Sequence, residues 1–141
     1  MFLAAALGAV PAPVQATEIA WHSTSELTYF CPPNWRREGT VVLETGEDAS
    51  FVAYGTIYAR DDKGIMPYKA EYVFRFDDGS TITAHVAGGA DTPAAANGGA
   101  GEIVFGTGRF DGIAGKISAT GGHSDSSGSA EWVCTYSLPN P

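Results

Sequence analysis

The most constraining feature of this sequence is a repeated alternation of short β-type runs with turn residues, which extends from residue 38 to the C-terminus. The runs are rich in Val, Ile, Thr, Tyr and Phe, and clusters of Gly, Asp and Ser separate them. Such punctuation is typical of antiparallel strands joined by tight turns. No segment shows a convincing helical pattern, so the sequence predicts an all-β chain.

The clearest strand is predicted over residues 68 to 76, followed by a hairpin turn at Asp77-Asp78-Gly79-Ser80. Asp-Gly is a strong hairpin signal because it tolerates positive φ. The returning strand is predicted over residues 81 to 87. Because successive side chains of a strand point to opposite faces, each strand presents one apolar face, formed by Tyr68, Ala70, Tyr72, Phe74 and Phe76 in the first and by Ile82, Ala84 and Val86 in the second.

The same reasoning predicts about eight strands, the others lying near residues 18–30, 40–45, 51–60, 101–106, 113–119 and 129–138. Eight short strands without crossover helices favour an up-and-down barrel or a sandwich. A chain of 141 residues is long enough for one core and short for two domains. The Gly- and Ala-rich stretch from 87 to 101 is predicted to be a mobile loop at one rim.

Residues 1–16 are predicted to be a signal peptide, and residues 17–141 the β-barrel domain. The first 16 residues carry no charge, and Val14-Gln15-Ala16 resembles a small-residue cleavage signature. The alternative is an apolar first strand or the start of a core helix. An apolar run that ends at Pro11 is too short to span a bilayer, which needs about 20 residues. We therefore expect a secreted or periplasmic protein.

The two cysteines, Cys31 and Cys134, are predicted to form a disulfide, since an even count after an export signal indicates pairing. The first and last strands of an up-and-down barrel are neighbours, so the bond would join the ends of the mature chain. The histidines, His22, His85 and His123, are scattered singly along the sequence. This spacing argues against a metal site, and no cofactor is expected.

The charge of the chain excludes several classes of partner. Eight Lys and Arg residues face 16 Asp and Glu residues, which gives a formal net charge of −8. Nucleic acid is an unexpected partner, because its binders must neutralise phosphates. The longest basic cluster is Arg36-Arg37, so attachment to an anionic membrane surface is not expected either.

Motifs for familiar chemistries are missing or have a simpler explanation. The glycines from 106 to 115 do not fit a dinucleotide fingerprint, because its third glycine would fall at Asp111. Ser124 has His123 and Asp125 as sequence neighbours, whereas the groups of a catalytic triad meet through folding. The carboxylate pairs Asp61-Asp62 and Asp77-Asp78 lie beside glycines, where turn chemistry accounts for them.

The segment with Gly106, Thr107, Gly108, Phe110 and Gly115 predicts a bulge or sharp bend between strands. It also resembles the Gly-Thr-Gly-x-Phe-x-x-x-x-Gly signature of the allene oxide cyclase and dirigent barrel families. The stretch from Phe76 to Ile82 is similar to the strand and hairpin that precede this signature in small exported bacterial relatives. The resemblance covers roughly residues 50 to 120 and implies an eight-stranded antiparallel barrel.

A barrel of eight strands has enough interior for packed side chains or for one small ligand. Two functions follow as expectations: a barrel that binds a small apolar or aromatic molecule, and a cofactor-free cyclase, isomerase or dirigent-like guide. An ionisable side chain inside the barrel would favour the second function, with Glu44, Glu71, Arg60 and Arg75 as candidates. The aromatic side chains of the predicted strands are the candidate ligand contacts, namely Tyr54, Tyr58, Tyr72, Phe74, Trp132 and Tyr136.

Overall fold

The computed structural model describes residues 16–91, 96–124 and 126–139. The predicted signal peptide, except for Ala16, lies outside the described residues. The described residues form eight strands. The first four are β1 (Thr17–Cys31), β2 (Asn34–Leu43), β3 (Asp48–Ile57) and β4 (Ile65–Phe76). The last four are β5 (Thr81–Asp91), β6 (Ala96–Thr107), β7 (Ala114–Ser124) and β8 (Ser127–Ser137).

The eight strands pair antiparallel in chain order and close into a barrel. Closure is made by β1 and β8, which pair in register from Thr17 opposite Tyr136 to Glu26 opposite Ser127. The predicted all-β, eight-stranded up-and-down barrel is therefore confirmed, and the sandwich alternative is wrong. Within the described residues, no helix is long and apolar enough to cross a membrane.

The strand faces follow the predicted alternation. Tyr72 and Phe74 on β4 and Ile82 on β5 are buried in the barrel, as their apolar phase requires. His85 is exposed on the opposite face of β5, and its Nε2 lies 2.9 Å from a carboxylate oxygen of Glu71 on the neighbouring strand. The inward residues of all eight strands thus form one continuous core.

The prediction of a loop from 87 to 101 is wrong for most of its length. β5 continues to Asp91 and β6 starts at Ala96, with Gly88 opposite Gly99 and Ala87 opposite Ala100. A Cβ atom placed on Gly88 would lie 1.9 Å from the carbonyl oxygen of Gly98. These glycines therefore permit a close approach of two backbones in a regular ladder, whereas composition alone suggested an unstructured connection. The strands predicted near 113–119 and 129–138 likewise extend toward each other, since β7 runs to Ser124 and β8 begins at Ser127.

The glycine signature closes one end of the barrel. A single turn of 3-10 helix, Gly108–Phe110, follows β6 and carries Phe110 into the core, where its ring lies 4.9 Å from that of Phe76. Gly108 has a φ of +63°, and a Cβ at this position would lie 2.3 Å from the Ser80 hydroxyl oxygen. A Cβ on Gly115 would lie 2.3 Å from the carbonyl oxygen of Thr135. The predicted sharp bend is therefore present. Gly108 and Gly115 leave no room for a side chain, and Gly108 also has a left-handed backbone.

Polar contacts hold this closed end together. The Thr107 hydroxyl lies 2.7 Å from the Thr81 hydroxyl, and the Arg109 backbone N–H donates to the Ser80 hydroxyl at 3.0 Å. The Arg109 guanidinium donates to both carboxylate oxygens of Glu47, at 2.7 and 2.8 Å. The same guanidinium lies over the rings of Phe76 and Phe110, at 5.0 and 4.9 Å from their centroids. Arg109 thus covers an apolar plug, formed by Phe76 and Phe110, and links the loops around this plug.

The predicted disulfide is not formed, because Cys31 and Cys134 are both free thiols. The expectation that β1 and β8 are neighbours is correct, but the register separates the two cysteines along β1. Cys134 lies opposite Ile19, and Cys31 is twelve residues farther along the strand (19 to 31). At about 3.3 Å per residue this is on the order of 40 Å, far beyond the separation of about 7 Å that a disulfide can bridge.

Candidate functional site

The half of the barrel opposite the plug contains a cavity of about 430 Å³. This half ends in the β1–β2, β3–β4, β5–β6 and β7–β8 connections. The cavity is enclosed mainly by apolar side chains and by backbone. Its side-chain lining consists of Ser23, Ser25, Leu27, Phe30, Trp35, Arg37, Phe51, Ile57, Met66, Tyr68, Tyr72, Ala119, Ser129, Ala130 and Trp132, and glycines of β6, β7 and β8 complete the wall.

The cavity exists because large and small residues lie on different sides of the barrel. β6, β7 and β8 present Gly99, Ala119, Gly121, Gly128 and Ala130 to the interior. Side chains of this size cannot reach the aromatic residues that β3 and β4 place on the opposite wall. An eight-stranded barrel is just wide enough for inward side chains to fill it, so small residues on three adjacent strands leave a space.

An aromatic cluster forms the floor of the cavity. The rings of Tyr72 and Trp132 meet edge to face with their centroids 4.8 Å apart, and Phe51 lies 5.6 Å from Tyr72. The Trp132 indole N–H donates to the hydroxyl of buried Ser23 at 2.9 Å. This hydrogen bond satisfies the indole and fixes the ring. The floor is therefore a rigid aromatic surface.

Of the predicted ligand contacts, Tyr72 and Trp132 line the cavity. Phe74 is fully buried beneath them, with its ring 5.4 Å from that of Trp132. Tyr136 lies at the plugged end, 6.1 Å from the ring of Phe110. Phe74 and Tyr136 are thus core residues and do not line the cavity.

Two further predicted ligand contacts, Tyr54 and Tyr58, do not line the cavity. They are 52% and 47% exposed. On β3 the inward phase belongs to Phe51 and Ala53, which places Tyr54 outside, and β3 ends before Tyr58 at Ile57. The β-propensity of a tyrosine does not say which face of the strand it occupies.

The rim aromatics Trp35 and Tyr68 were not among the predicted contacts. Their rings meet edge to face at 6.3 Å, and the Tyr68 hydroxyl donates to the Gly98 carbonyl oxygen at 3.5 Å. Tyr68 shares the predicted apolar phase of Tyr72, so the strand pattern carried a usable signal for it. Burial raises the pKa of Tyr68 and that of Tyr72 above the ordinary value. Both phenols are therefore neutral hydrogen-bond donors at physiological pH.

Arg37 is the ionisable residue that the sequence analysis missed. Its Nη1 contacts the Ser25 hydroxyl at 3.4 Å and the Ser126 carbonyl oxygen at 3.3 Å. Burial lowers the pKa of Arg37 below its ordinary value, but a guanidinium remains charged at any physiological pH. The available signal was the alternation along β2, which places Trp35, Arg37 and Gly39 on one face and Arg36 on the other.

The four ionisable side chains that were proposed as interior candidates are all on exposed residues: Glu44, Arg60, Glu71 and Arg75. The turn aspartates act as predicted. Asp61 accepts hydrogen bonds from the backbone N–H groups of Lys63 and Ile65, at 2.9 and 3.0 Å, and Asp78 accepts one from Ser80 at 2.9 Å. Among the described residues that line the cavity, Arg37 is the one with a charged side chain.

Comparison with known proteins yields similarity in structure without similarity in sequence. No family model and no curated protein matches the sequence. One similar solved structure is that of a pterocarpan synthase dirigent protein, with a TM-score of 0.59 and 13% identity over 89% of this chain and 92% of that one. Another is a nonspecific heme-binding cyclase that catalyses a (4 + 2) cycloaddition during neoabyssomicin biosynthesis, with a TM-score of 0.59 and 19% identity over 99% of this chain and 74% of that one. The resemblance expected from the glycine signature is thus confirmed in the fold, and this chain is a closed eight-stranded barrel of the kind found in dirigent proteins and in this cyclase.

Proposed function

We propose that this protein binds a small, largely apolar or aromatic molecule in the open half of its barrel, outside the cytoplasm. The cavity of about 430 Å³ carries the proposal. Its volume lies within the range of about 300 to 1,000 Å³ that is usual for small-molecule sites. A rigid floor of Tyr72 and Trp132 offers aromatic contact, and burial of apolar surface would supply most of the affinity.

The neutral fluorescent probe N-phenyl-1-naphthylamine tests this function by titration. The expected result is saturable binding to the wild type with one site per chain. Ala119→Leu fills the cavity from the β7 wall and should weaken binding at least tenfold. Ser118→Leu is the matched control, because it adds the same side chain on the outer face of the same strand. Equal affinity in both variants, or no saturable binding to the wild type, would refute the proposal.

A second candidate function is a cofactor-free cyclase or isomerase, or a dirigent-like guide of stereochemistry, acting on a small hydrophobic substrate. The observation that favours it is the fold shared with a dirigent pterocarpan synthase and a cycloaddition catalyst. An apolar cavity accelerates such reactions by holding one substrate conformation and excluding water, which requires few dedicated residues.

Catalysis and binding are separated by the products formed. Incubation with polyene substrates for intramolecular cycloaddition, or with coupling phenols plus an external oxidant, should give a changed ratio of stereoisomers if the barrel acts on them. Ala119→Leu should return that ratio to the uncatalysed value, while Ser118→Leu should retain the wild-type ratio. If the wild type binds the probe saturably but does not change the ratio of stereoisomers, the outcome contradicts the catalytic function and supports the binding function.

Export is part of the proposal and is tested independently of ligand binding. Its support is the uncharged N-terminal segment ending in Val14-Gln15-Ala16. The expected mature N-terminus is Thr17, which is also the first residue of β1. Fractionation of producing cells followed by N-terminal sequencing should find this form outside the cytoplasm, and an intact Met1 on a cytoplasmic product would contradict the assignment.

A further inference from the structure

We propose that the cavity selects organic acids, with Arg37 binding a single carboxylate while the apolar body of the ligand lies on the aromatic floor. This inference rests on the proposed binding function and specifies its ligand class. It starts from the position of Arg37, a permanent cation on the inward face of β2, among mainly apolar lining residues. A charge in such surroundings is costly unless it is paired.

The contacts of Arg37 leave most of its hydrogen-bonding capacity unused. A guanidinium has five N–H donors, and the contacts with Ser25 and Ser126 both come from Nη1, at 3.4 and 3.3 Å. These are long contacts to neutral acceptors. Within the described part of the chain, no carboxylate oxygen lies within 4.0 Å of this side chain, and the negative charge of Glu26 acts on Arg37 only through space, raising its pKa. Arg36, by contrast, pairs with Glu38, and Arg109 pairs with both Glu47 and Asp78.

The local structure keeps space for this guanidinium. A Cβ on Gly128, which is on β8, would lie 3.1 Å from both the Nη1 of Arg37 and the Ser25 hydroxyl oxygen. Because Gly128 has no side chain, Arg37 can lie against the β8 wall, in contact with Ser25 and Ser126. Ser23 and Ser25, both on β1 and both lining the cavity, add hydroxyl groups near the same wall.

The charge balance favours a monoanion. One guanidinium matches one carboxylate, because its planar fork can donate two parallel hydrogen bonds to the two oxygens. A phosphate ester would bring up to two charges against this single cation. The net charge of −8 on the whole chain also repels a more highly charged ligand. An aromatic or aliphatic monocarboxylic acid therefore fits the site best.

A matched ligand pair tests the inference. 1-Naphthaleneacetate and 1-naphthaleneethanol share a ring system and differ in carrying a carboxylate or a hydroxyl, and calorimetry or quenching of the cavity tryptophans measures both affinities. We expect the acid to bind the wild type about tenfold or more tightly than the alcohol, as a charge-assisted hydrogen bond predicts. Arg37→Met should remove this preference by weakening the binding of the acid about tenfold more than that of the alcohol.

Arg36→Met is the control, because it deletes the neighbouring arginine on the outer face, where Arg36 pairs with Glu38 at 2.7 Å. It should keep the full preference for the acid. An equal loss of preference in both variants would show a surface effect and overturn the inference. Saturable binding of N-phenyl-1-naphthylamine without any preference for the acid would overturn the inference alone, whereas no binding of any of the three probes would refute the binding function as well. Circular dichroism of each variant establishes that the barrel is folded.

Discussion

At the scale of single residues, burial sets the protonation state of the barrel interior. Tyr72 is 9% exposed, and burial raises its pKa above the ordinary tyrosine value of about 10. The nearby charge of Arg37 opposes this effect without cancelling it. In the unfolded chain the same phenol is solvated and loses its proton near pH 10. Folding therefore holds a proton that the unfolded state releases in alkali.

The sign of this linkage predicts a loss of stability in alkali. Below pH 10 both states keep the Tyr72 proton, so the stability is fully present. As the pH rises from 10 toward the higher folded-state pKa, the unfolded state is favoured by up to about 1.4 kcal/mol per pH unit. Tyr72→Phe should flatten the fall in the free energy of unfolding between pH 10 and 11, as measured by urea titration. The control is Tyr29→Phe, at an exposed position, which should leave this fall as steep as in the wild type. An equal dependence of the free energy of unfolding on pH in both variants would contradict the prediction.

The two free thiols should differ sharply in reactivity. Cys31 is exposed, while burial raises the pKa of the Cys134 thiol to about 12 and keeps it protonated. The thiolate is the reactive form. The native protein should therefore consume one equivalent of 5,5′-dithiobis(2-nitrobenzoate), and Cys31→Ser should consume none until it is unfolded. A native protein without reactive thiols, together with a mass two units lower than that of the reduced chain, would restore the predicted disulfide.

At the scale of elements, the glycine signature is explained by the loop that it forms. Gly108 combines a left-handed φ of +63° with crowding by Ser80, whereas Gly64 has a φ of +81° in a turn with no atom within 4 Å of the added Cβ. Both positions require a left-handed backbone, but only Gly108 is crowded by neighbouring atoms. They therefore separate the cost of backbone conformation from that of packing.

Alanine at these two positions should have unequal effects. Gly64→Ala should cost about 1 kcal/mol, which is the penalty for a left-handed backbone. Gly108→Ala should cost about 2 to 4 kcal/mol, because it also displaces the Ser80 hydroxyl that accepts the Arg109 backbone N–H. The free energies of unfolding from chemical denaturation give both values. Equal losses would show that the Ser80 contact does not constrain the loop.

At the scale of the whole molecule, closure of the barrel couples the ligand site to global stability. β1 and β8 are hydrogen-bonded along ten residue pairs, from Thr17–Tyr136 to Glu26–Ser127, so the sheet has no open edge. The cavity is lined by residues of β1 to β4 and of β6 to β8, and a ligand there requires the folded barrel. Binding should therefore stabilise the entire chain.

The size of this stabilisation follows from mass action. At a free probe concentration ten times its Kd, the free energy of unfolding should rise by about 1.4 kcal/mol. For a chain of this length, that corresponds to an increase in Tm of about 5 °C. Thermal unfolding of the wild type with N-phenyl-1-naphthylamine should show this shift, and Ala119→Leu should show much less. A similar shift in both proteins would mean that the probe stabilises a site outside the cavity.

The sequence alone determined the fold class, the number of strands and the faces of the most regular strands. These properties are local: a period of two along residues 68–76 and an Asp-Gly turn do not depend on distant partners. The same local rules identified Tyr72 and Trp132 as interior residues and the Asp61 and Asp78 carboxylates as turn residues. The glycine signature also indicated its bend directly, because positive φ and crowding leave few residues other than glycine.

Tertiary structure decided the register, the cavity and its charge. Cys31 and Cys134 lie on neighbouring strands but far apart along them, since register depends on every preceding turn and bulge. The glycines from 88 to 101 lie in two paired strands, β5 and β6, because the two backbones approach closely enough to complete the ladder. Arg37 faces the interior through the phase of β2, in which Trp35 meets the ring of Tyr68 and Val41 is buried in the core. The phase of β2 was readable in the sequence, but only the closed barrel shows that this face of the strand lines a cavity. The sequence analysis therefore noted Arg37 only as half of the basic pair Arg36-Arg37.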